Sequence, residues 1–270
     1  MFLEKLCRFY QRLFRTSHPD QQKLVELHSQ GDESAFLRAY FDHEYDKGLQ
    51  MISRFSAITT EWHGGRALDF GCGAGGLTFR VREVSRQAIG IDLDPRKIDF
   101  ARSVAQSKRI DNLEFVCYPG DDIPFSDGSF DVVFCVDVIE HLPTPETFAR
   151  EFMRLLKPGG WLLLSFGPPW QHAHGKHMWS RLPGWWTHLI FPQAVVMRVC
   201  GFDPRTTYED LGMFRLTVGK FEKIMRQSGF LQVFHENKIN RAVRWVRNTP
   251  VIRGFFISEV VGIYRKQSAA

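Results

Sequence analysis

Ala67-Leu68-Asp69-Phe70-Gly71-Cys72-Gly73-Ala74-Gly75-Gly76 is the stretch whose reading decides the fold: an apolar run that breaks into glycines and opens toward a helix. Glycine is required where the backbone takes positive φ or where a ligand must approach without a Cβ in between. Four glycines in so short a run predict an open floor beside a helix N-terminus, where a nucleotide-like cofactor is the default expectation. Two registers fit. Gly71, Gly73 and Gly76 spell G-x-G-x-x-G, and Asp92 follows about twenty residues on, after Ala88-Ile89-Gly90-Ile91, as in a dinucleotide fold. Asp69, Gly71, Gly73 and Gly75 spell D-x-G-x-G-x-G. The loop alone leaves both open.

The segments downstream separate them. Phe130-Asp131-Val132-Val133-Phe134-Cys135-Val136-Asp137-Val138-Ile139-Glu140-His141-Leu142 reads as a buried strand with an acidic exit. Leu155-Leu156-Lys157-Pro158-Gly159-Gly160-Trp161-Leu162-Leu163-Leu164-Ser165 reads as a helix end, a Pro-Gly turn and another strand. With the D-x-G-x-G-x-G loop, this pair resembles the class I methyltransferases. It resembles especially the branch that includes the ubiquinone-biosynthesis O-methyltransferases with their D-V-I-E-H segment. The resemblance covers Trp62 to Phe166 well and Thr217 to Lys266 more weakly. It implies S-adenosylmethionine as cofactor and a Rossmann-like α/β fold: a seven-stranded, mostly parallel sheet with helices on both faces.

The rest of the chain fits that frame. Asp94-Pro95 is an N-cap followed by proline at the first helical position, so a helix is expected from Pro95 to Ser107; Thr144-Pro145 repeats the signal for a helix ending near Lys157. Leu113 to Tyr118 reads as a third strand, Phe230 to His235 as a sixth, and Phe255 to Tyr264 as a seventh, antiparallel in the resembled family. Before the sheet, residues 1–60 read as an N-terminal helical cap segment. Residues 61–167 and 215–267 read as the cofactor-binding domain, and residues 168–214 as a lid inserted after the fifth strand. In the lid, Trp170, Trp179, Trp185 and Trp186 interleave with His172, His174, His177 and His188. Ligands bind beyond the carboxyl ends of strands in open α/β sheets, so this segment is the expected substrate lid, with Trp170, His174, His177 and Trp186 as lining.

The cofactor's parts each find a counterpart. Asp69 with Gly71, Gly73 and Gly75 is expected to hold the amino acid end, although Asp69 could equally serve only to tie down the loop. Asp92 ends the second strand, where its carboxylate can accept both ribose hydroxyls, and Leu93 and Asp137 are expected at the same site. The resemblance puts an adenine contact after the third strand. Counting back from Ile123-Pro124-Phe125 lands on Pro119, so Asp121 is the candidate and Asp122 a turn cap. Methyl transfer needs alignment and exclusion of water more than covalent help. His141 is the base that the resemblance implies for a hydroxyl acceptor, a structural histidine being the alternative. Asp137, Glu140 and His141 could instead gather a hard divalent ion; a site among His172, His174 and His177 is disfavoured, and no metal is assigned.

Composition limits the remaining choices. A chain of 270 residues, 44% hydrophobic, supports one main core. Its five scattered cysteines lack any C-x-x-C pair and predict a reducing, cytoplasmic setting without disulfides or zinc. The net charge of +5 is uneven: Phe152 to Phe202 contains no Asp or Glu, and after Asn237 only Glu259 opposes seven basic residues. Phe2, Leu3, Leu6, Phe9, Tyr10, Leu13 and Phe14 share one side of a helix, with Lys5, Arg8, Arg12 and Arg15 on the other. Ile239, Ala242, Val243 and Val246 suggest a second amphipathic helix over Lys238 to Arg247. Packing, pocket capping and peripheral contact with an anionic membrane are the outcomes open to these elements. The expected acceptor is small or lipid-like; no nucleic-acid module is found, so no nucleic acid is expected. The rival readings are a nicotinamide-dependent oxidoreductase and a non-catalytic, membrane-associated adapter that kept the fold.

Overall fold

The computed structural model describes residues 2–14, 24, 26–27, 30–120, 123–177, 184–249 and 252–268. Seven strands form one sheet: β1 Arg66–Phe70, β2 Gln87–Asp92, β3 Leu113–Cys117, β4 Phe130–Val136, β5 Leu156–Phe166, β6 Leu231–Ile239 and β7 Ile257–Arg265. Their order is β3-β2-β1-β4-β5-β7-β6, with β7 antiparallel to both neighbours and the other pairs parallel. The order reverses at β1, so the crevice beyond its carboxyl end is the place where such sheets bind ligands.

Side chains alternate across a strand, and the apolar runs of β1, β4 and β5 therefore feed two cores. Leu68, Phe70, Val133, Cys135, Leu162 and Leu164 meet α5 (Pro145–Leu155) and α8 (Val218–Gln227) through Phe152, Leu155, Phe221 and Ile224. Ala67, Val132, Phe134 and Leu163 face the other way. They meet Met51, Ile52 and Phe55 of α2 (Glu33–Ser56) and Leu77 and Val81 of α3 (Gly76–Val81). Residues 33–56 thus pack as part of the sheet body and not as a separate cap. The third group, α4 (Pro95–Ser107), joins Phe41, Phe79 and Phe115.

Local signals behave as expected at one cap and differently at others. The Asp94 carboxylate accepts from Arg96 N at 3.0 Å, with Pro95 at the first helical position. Thr144 makes no side-chain capping bond, and α5 stops at Leu155 because Leu156 already pairs with Phe130 in the sheet. A helix over Lys238 to Arg247 does not form. Lys238 and Ile239 are the end of β6, paired with Glu259 and Ile257, and Asn240 then caps a 3-10 segment, Arg241–Asn248, that kinks at Val243. Pairing along β7 wins there over the amphipathic pattern.

The segment after β5, expected to be a lid, holds two short helices, α6 (Thr187–Ile190) and α7 (Gln193–Val199). Against them lies α1 (Phe2–Leu13), which buries Cys7 and Gln11, with Glu4 bonded to Arg198 at 2.6 Å. Cys7 joins Phe191, Val196, Met197, Tyr208 and Met213 in a separate small core. Lys176 is buried within the same segment, its ammonium donating to the carbonyls of Gly184 and Ala173; burial lowers its pKa to about 8.

Candidate active site

The glycine loop connects β1 to α3 with Gly71, Gly73 and Gly75 at φ +75°, +56° and +91°. The expected open floor is not what these glycines provide. A Cβ on Gly71 would lie 2.5 Å from Val138, one on Gly73 2.8 Å from Glu44, and one on Gly75 2.7 Å from Phe115. The missing side chains let the protein close on the loop, in addition to permitting the left-handed turns.

Asp92 holds that loop in place. Its Oδ2 accepts from Gly73 N and its Oδ1 from Asp94 N, both at 2.9 Å. Each oxygen keeps a second lone pair for another donor. Leu93, beside it, is exposed and lies against Gly120 across the mouth of the loop, 3.3 Å from a Cβ built there. Asp121, with Asp122, lies outside the described residues. Asp69 is buried and accepts from Thr78 Oγ1 at 2.7 Å; it therefore anchors α3 and not the loop backbone. Burial raises its pKa to about 7.

A cavity of ≈ 140 Å³ sits beside the loop, lined by Asp69, Gly71, Cys72, Val136 and Asp137 from the sheet side. Its other wall is α2, through Tyr40, His43, Glu44, Lys47 and Met51. Glu44 Oε2 is buried without a hydrogen-bond partner, and burial raises that carboxyl to about 8. Next to this space is a larger one of ≈ 1090 Å³, with Asp42, Asp46, Arg54, Gly167, Glu236, Lys238, Ser258 and Glu259 among its lining. His43, Lys47, Met51 and Asp137 face both spaces. At that junction Lys47 Nζ donates to Asp137 Oδ2, and Asp137 holds a left-handed φ of +55° while its N–H donates to Ser165 O. Burial lowers the Lys47 pKa, against the pull of Glu140 and other carboxylates.

His141 is set apart from this junction. It keeps solvent contact, yet burial of its ring holds its pKa below the ordinary imidazole value. Its Nδ1 bonds Gly212 O at 2.8 Å; a carbonyl can only accept, so Nδ1 carries the hydrogen and Nε2 the lone pair. The His177 ring stands edge-on to it at 5.0 Å, with Nε2 bonded to Pro168 O at 2.8 Å. Trp170 and His177 line a small crevice with Glu140 and His141. Trp186 turns to a different, outer groove, and its Nε1 donates to Gln171 O. His174 packs by His172 and Trp185. The lid residues named from sequence therefore divide among three places.

The set Asp137, Glu140 and His141 is also rearranged. Asp137 is taken by Lys47, and His177 comes in instead: Glu140, His141 and His177 offer one ligating atom each within 4.8 Å of one another. Two imidazoles and a carboxylate suit a borderline transition metal better than magnesium. Glu140 Oε1 meanwhile accepts from Gly167 N, and burial raises its pKa to about 7.

Comparison with known proteins selects between the two glycine registers. Residues 68–164 match the family model described as a methyltransferase domain. By that match, residues 68–164 form a methyltransferase domain. Over 108 residues it is 39% identical to the ubiquinone biosynthesis O-methyltransferase of Xanthomonas oryzae pv. oryzae, covering 38% of this chain and 43% of the relative. The chain thus spans about half the length of the curated relatives it matches. Among solved structures, an S-adenosylmethionine-dependent methyltransferase from Mesorhizobium loti superposes with a TM-score of 0.55 at 19% identity, over 79% of this chain and 96% of that one. The [4+2]-cyclase SpnF superposes with 0.52 at 18% identity, over 77% and 76%. The fold is thus shared by a cyclase and a methyltransferase, and the chemistry has to be argued from the site.

Sequence reasoning missed Tyr40, Glu44 and Lys47, which form the α2 wall of the loop-side cavity. Their spacing of four and three residues places them on one helical face, a readable signal once α2 is known to pack over the loop.

Proposed function

We propose that the chain transfers a methyl group from S-adenosylmethionine to an oxygen of a small or lipid-like acceptor, at the surface of an anionic membrane. The observation that carries the chemistry is the junction where His43, Lys47, Met51 and Asp137 face both the loop-side cavity and the larger one. The loop side fits the cofactor: the carboxyl oxygens of Asp69 and the Oε2 of Glu44, which has no hydrogen-bond partner, can accept from an ammonium group, Asp92 has lone pairs left for ribose hydroxyls, and Leu93 with Gly120 gives an apolar surface for a base. When bound, S-adenosylmethionine supplies an electrophilic methyl group on sulfur.

The chain's own residues do the rest. Lys47 presents its ammonium to the acceptor oxygen, which favours the ionised oxygen, and the Asp137 carboxylate takes the proton. α2 forms one wall of the junction, so a bound acceptor would displace water there. In this reading His141 orders the lid through Gly212, and the base implied by family resemblance moves to the Lys47–Asp137 pair.

Lys47→Met tests this. Label from methyl-labelled S-adenosylmethionine is followed into a total lipid extract and into a polar metabolite extract, beside calorimetry of cofactor binding. Transfer is expected to fall by about 10²–10⁴-fold, with cofactor affinity changed less than about threefold. Unchanged transfer in this variant overturns the assignment of Lys47, and failure to bind S-adenosylmethionine overturns the whole reading.

A further inference from the structure

Helix α1 packs in an unexpected orientation. A strongly amphipathic helix normally buries its apolar stripe. Here the buried positions are Cys7 and Gln11, on the seam that also carries Glu4, and the apolar stripe points outward. Phe2 is 77% exposed, Leu13 61% and Phe9 59%, with Leu3 and Leu6 also exposed.

The stripe continues into the lid and beyond it. Phe14 reaches the Trp185 ring at 6.0 Å, and Tyr10 reaches Phe191 at 5.6 Å. Next come Leu189 and Ile190 of α6, which form one wall of an apolar groove whose other wall is Trp245, Ile252, Phe255 and Phe256. Trp245 is 76% exposed. Of the sixteen large apolar side chains exposed among the described residues, eleven lie on this one belt, so it is not the ordinary scatter of single surface hydrophobes.

Its flanks are basic. Lys5 and Arg12 on α1, and Arg241, Arg244 and Arg247 on the 3-10 segment around Trp245, are exposed and form no ion pair among the described residues. The one acid on α1, Glu4, is already bonded to Arg198. An outward apolar stripe between unpaired cations complements an anionic lipid surface: side chains enter the acyl boundary and cations meet the headgroups.

We infer that α1, Trp185, α6 and Trp245 form one face by which the chain lies on an anionic phospholipid surface. This deepens the membrane-surface part of the proposed function by naming the residues that make the contact. It also gives the lid a role, since α1 and α7 are joined by the Glu4–Arg198 bond and by the core around Cys7. A membrane-seated α1 holds the lid at the surface from which a lipid-like acceptor arrives.

The test is flotation of the full chain, without cofactor or acceptor, with vesicles of phosphatidylcholine alone or mixed with phosphatidylglycerol. Absence of cofactor keeps a failure here distinct from failure of the methyl-transfer reading. Partition onto the mixed vesicles is expected to exceed that onto neutral ones by at least about tenfold and to fall as salt screens the cations. Phe9→Asp with Leu13→Asp, and separately Trp245→Ser on a different element, should each lower it several-fold. Leu49→Asp, at an exposed site on α2 away from the belt, should not. Equal partition onto both vesicle types, or wild-type partition by the belt variants, overturns the inference. So does a dimer in gel filtration that the Phe9→Asp, Leu13→Asp variant converts to monomer, since the belt would then be covered by a second copy.

Discussion

Asp92→Asn separates two roles that one carboxylate performs in this structure. The substitution keeps size and shape but leaves one acceptor oxygen where two were needed, by Gly73 N and Asp94 N. One N–H then faces an amide donor. A part-buried donor left without its charged acceptor costs about 2–3 kcal/mol. At about 2–4 °C per kcal/mol for a domain of this size, the cofactor-free melting temperature should drop by about 5–10 °C. If the remaining lone pairs also hold the ribose, S-adenosylmethionine affinity measured by calorimetry should fall by about 10–100-fold. Differential scanning calorimetry of the cofactor-free protein decides the first part. A melting temperature within about 1 °C of the wild type would refute the claim that Asp92 holds the loop, whatever happened to cofactor affinity.

Two further expectations follow from the same cavity. Asp69 and Glu44 have folded-state pKa values raised by burial to about 7 and about 8, against ordinary values of 3.8 and 4.5. Over the window between those values the folded state binds more protons than the unfolded one, so stability should fall as pH rises from about 4 to about 8. Glu44→Gln should flatten the upper part of that decline in denaturant titrations, and a wild-type slope in the variant would count against it. Gly75→Ala places a Cβ 2.7 Å from Phe115 on a residue at φ +91°, and should cost about 3 kcal/mol in urea unfolding. Gly219→Ala in α8, where a Cβ meets nothing within 4 Å, should stabilise slightly, by about 0.5 kcal/mol. Equal effects at the two glycines would remove the packing argument.

The sequence by itself determined the sheet and the identity of the loop. The apolar runs of β1, β4 and β5, the three glycines that need positive φ, and Asp94-Pro95 are local features, and a few neighbouring residues decide their conformation. Placement of Asp92 at the end of β2, beside the loop, was legible for the same reason. The boundary between β6 and the segment after it was not, because Lys238 and Ile239 pair with β7 residues about twenty positions away, and that pairing overrides their helical pattern. Likewise nothing local to Tyr40, Glu44 and Lys47 says that α2 folds across the loop, or that Lys47 meets Asp137 ninety residues later. His141 and Asp137 stand four residues apart, yet they part company because one is drawn to the lid through Gly212 and the other to α2 through Lys47. The outward turn of α1 is the sharpest case. Its hydrophobic stripe is plain in the sequence, but which side is buried depends on the lid surface that Cys7, Gln11 and Glu4 happen to match, and only the tertiary structure brings that surface to the helix.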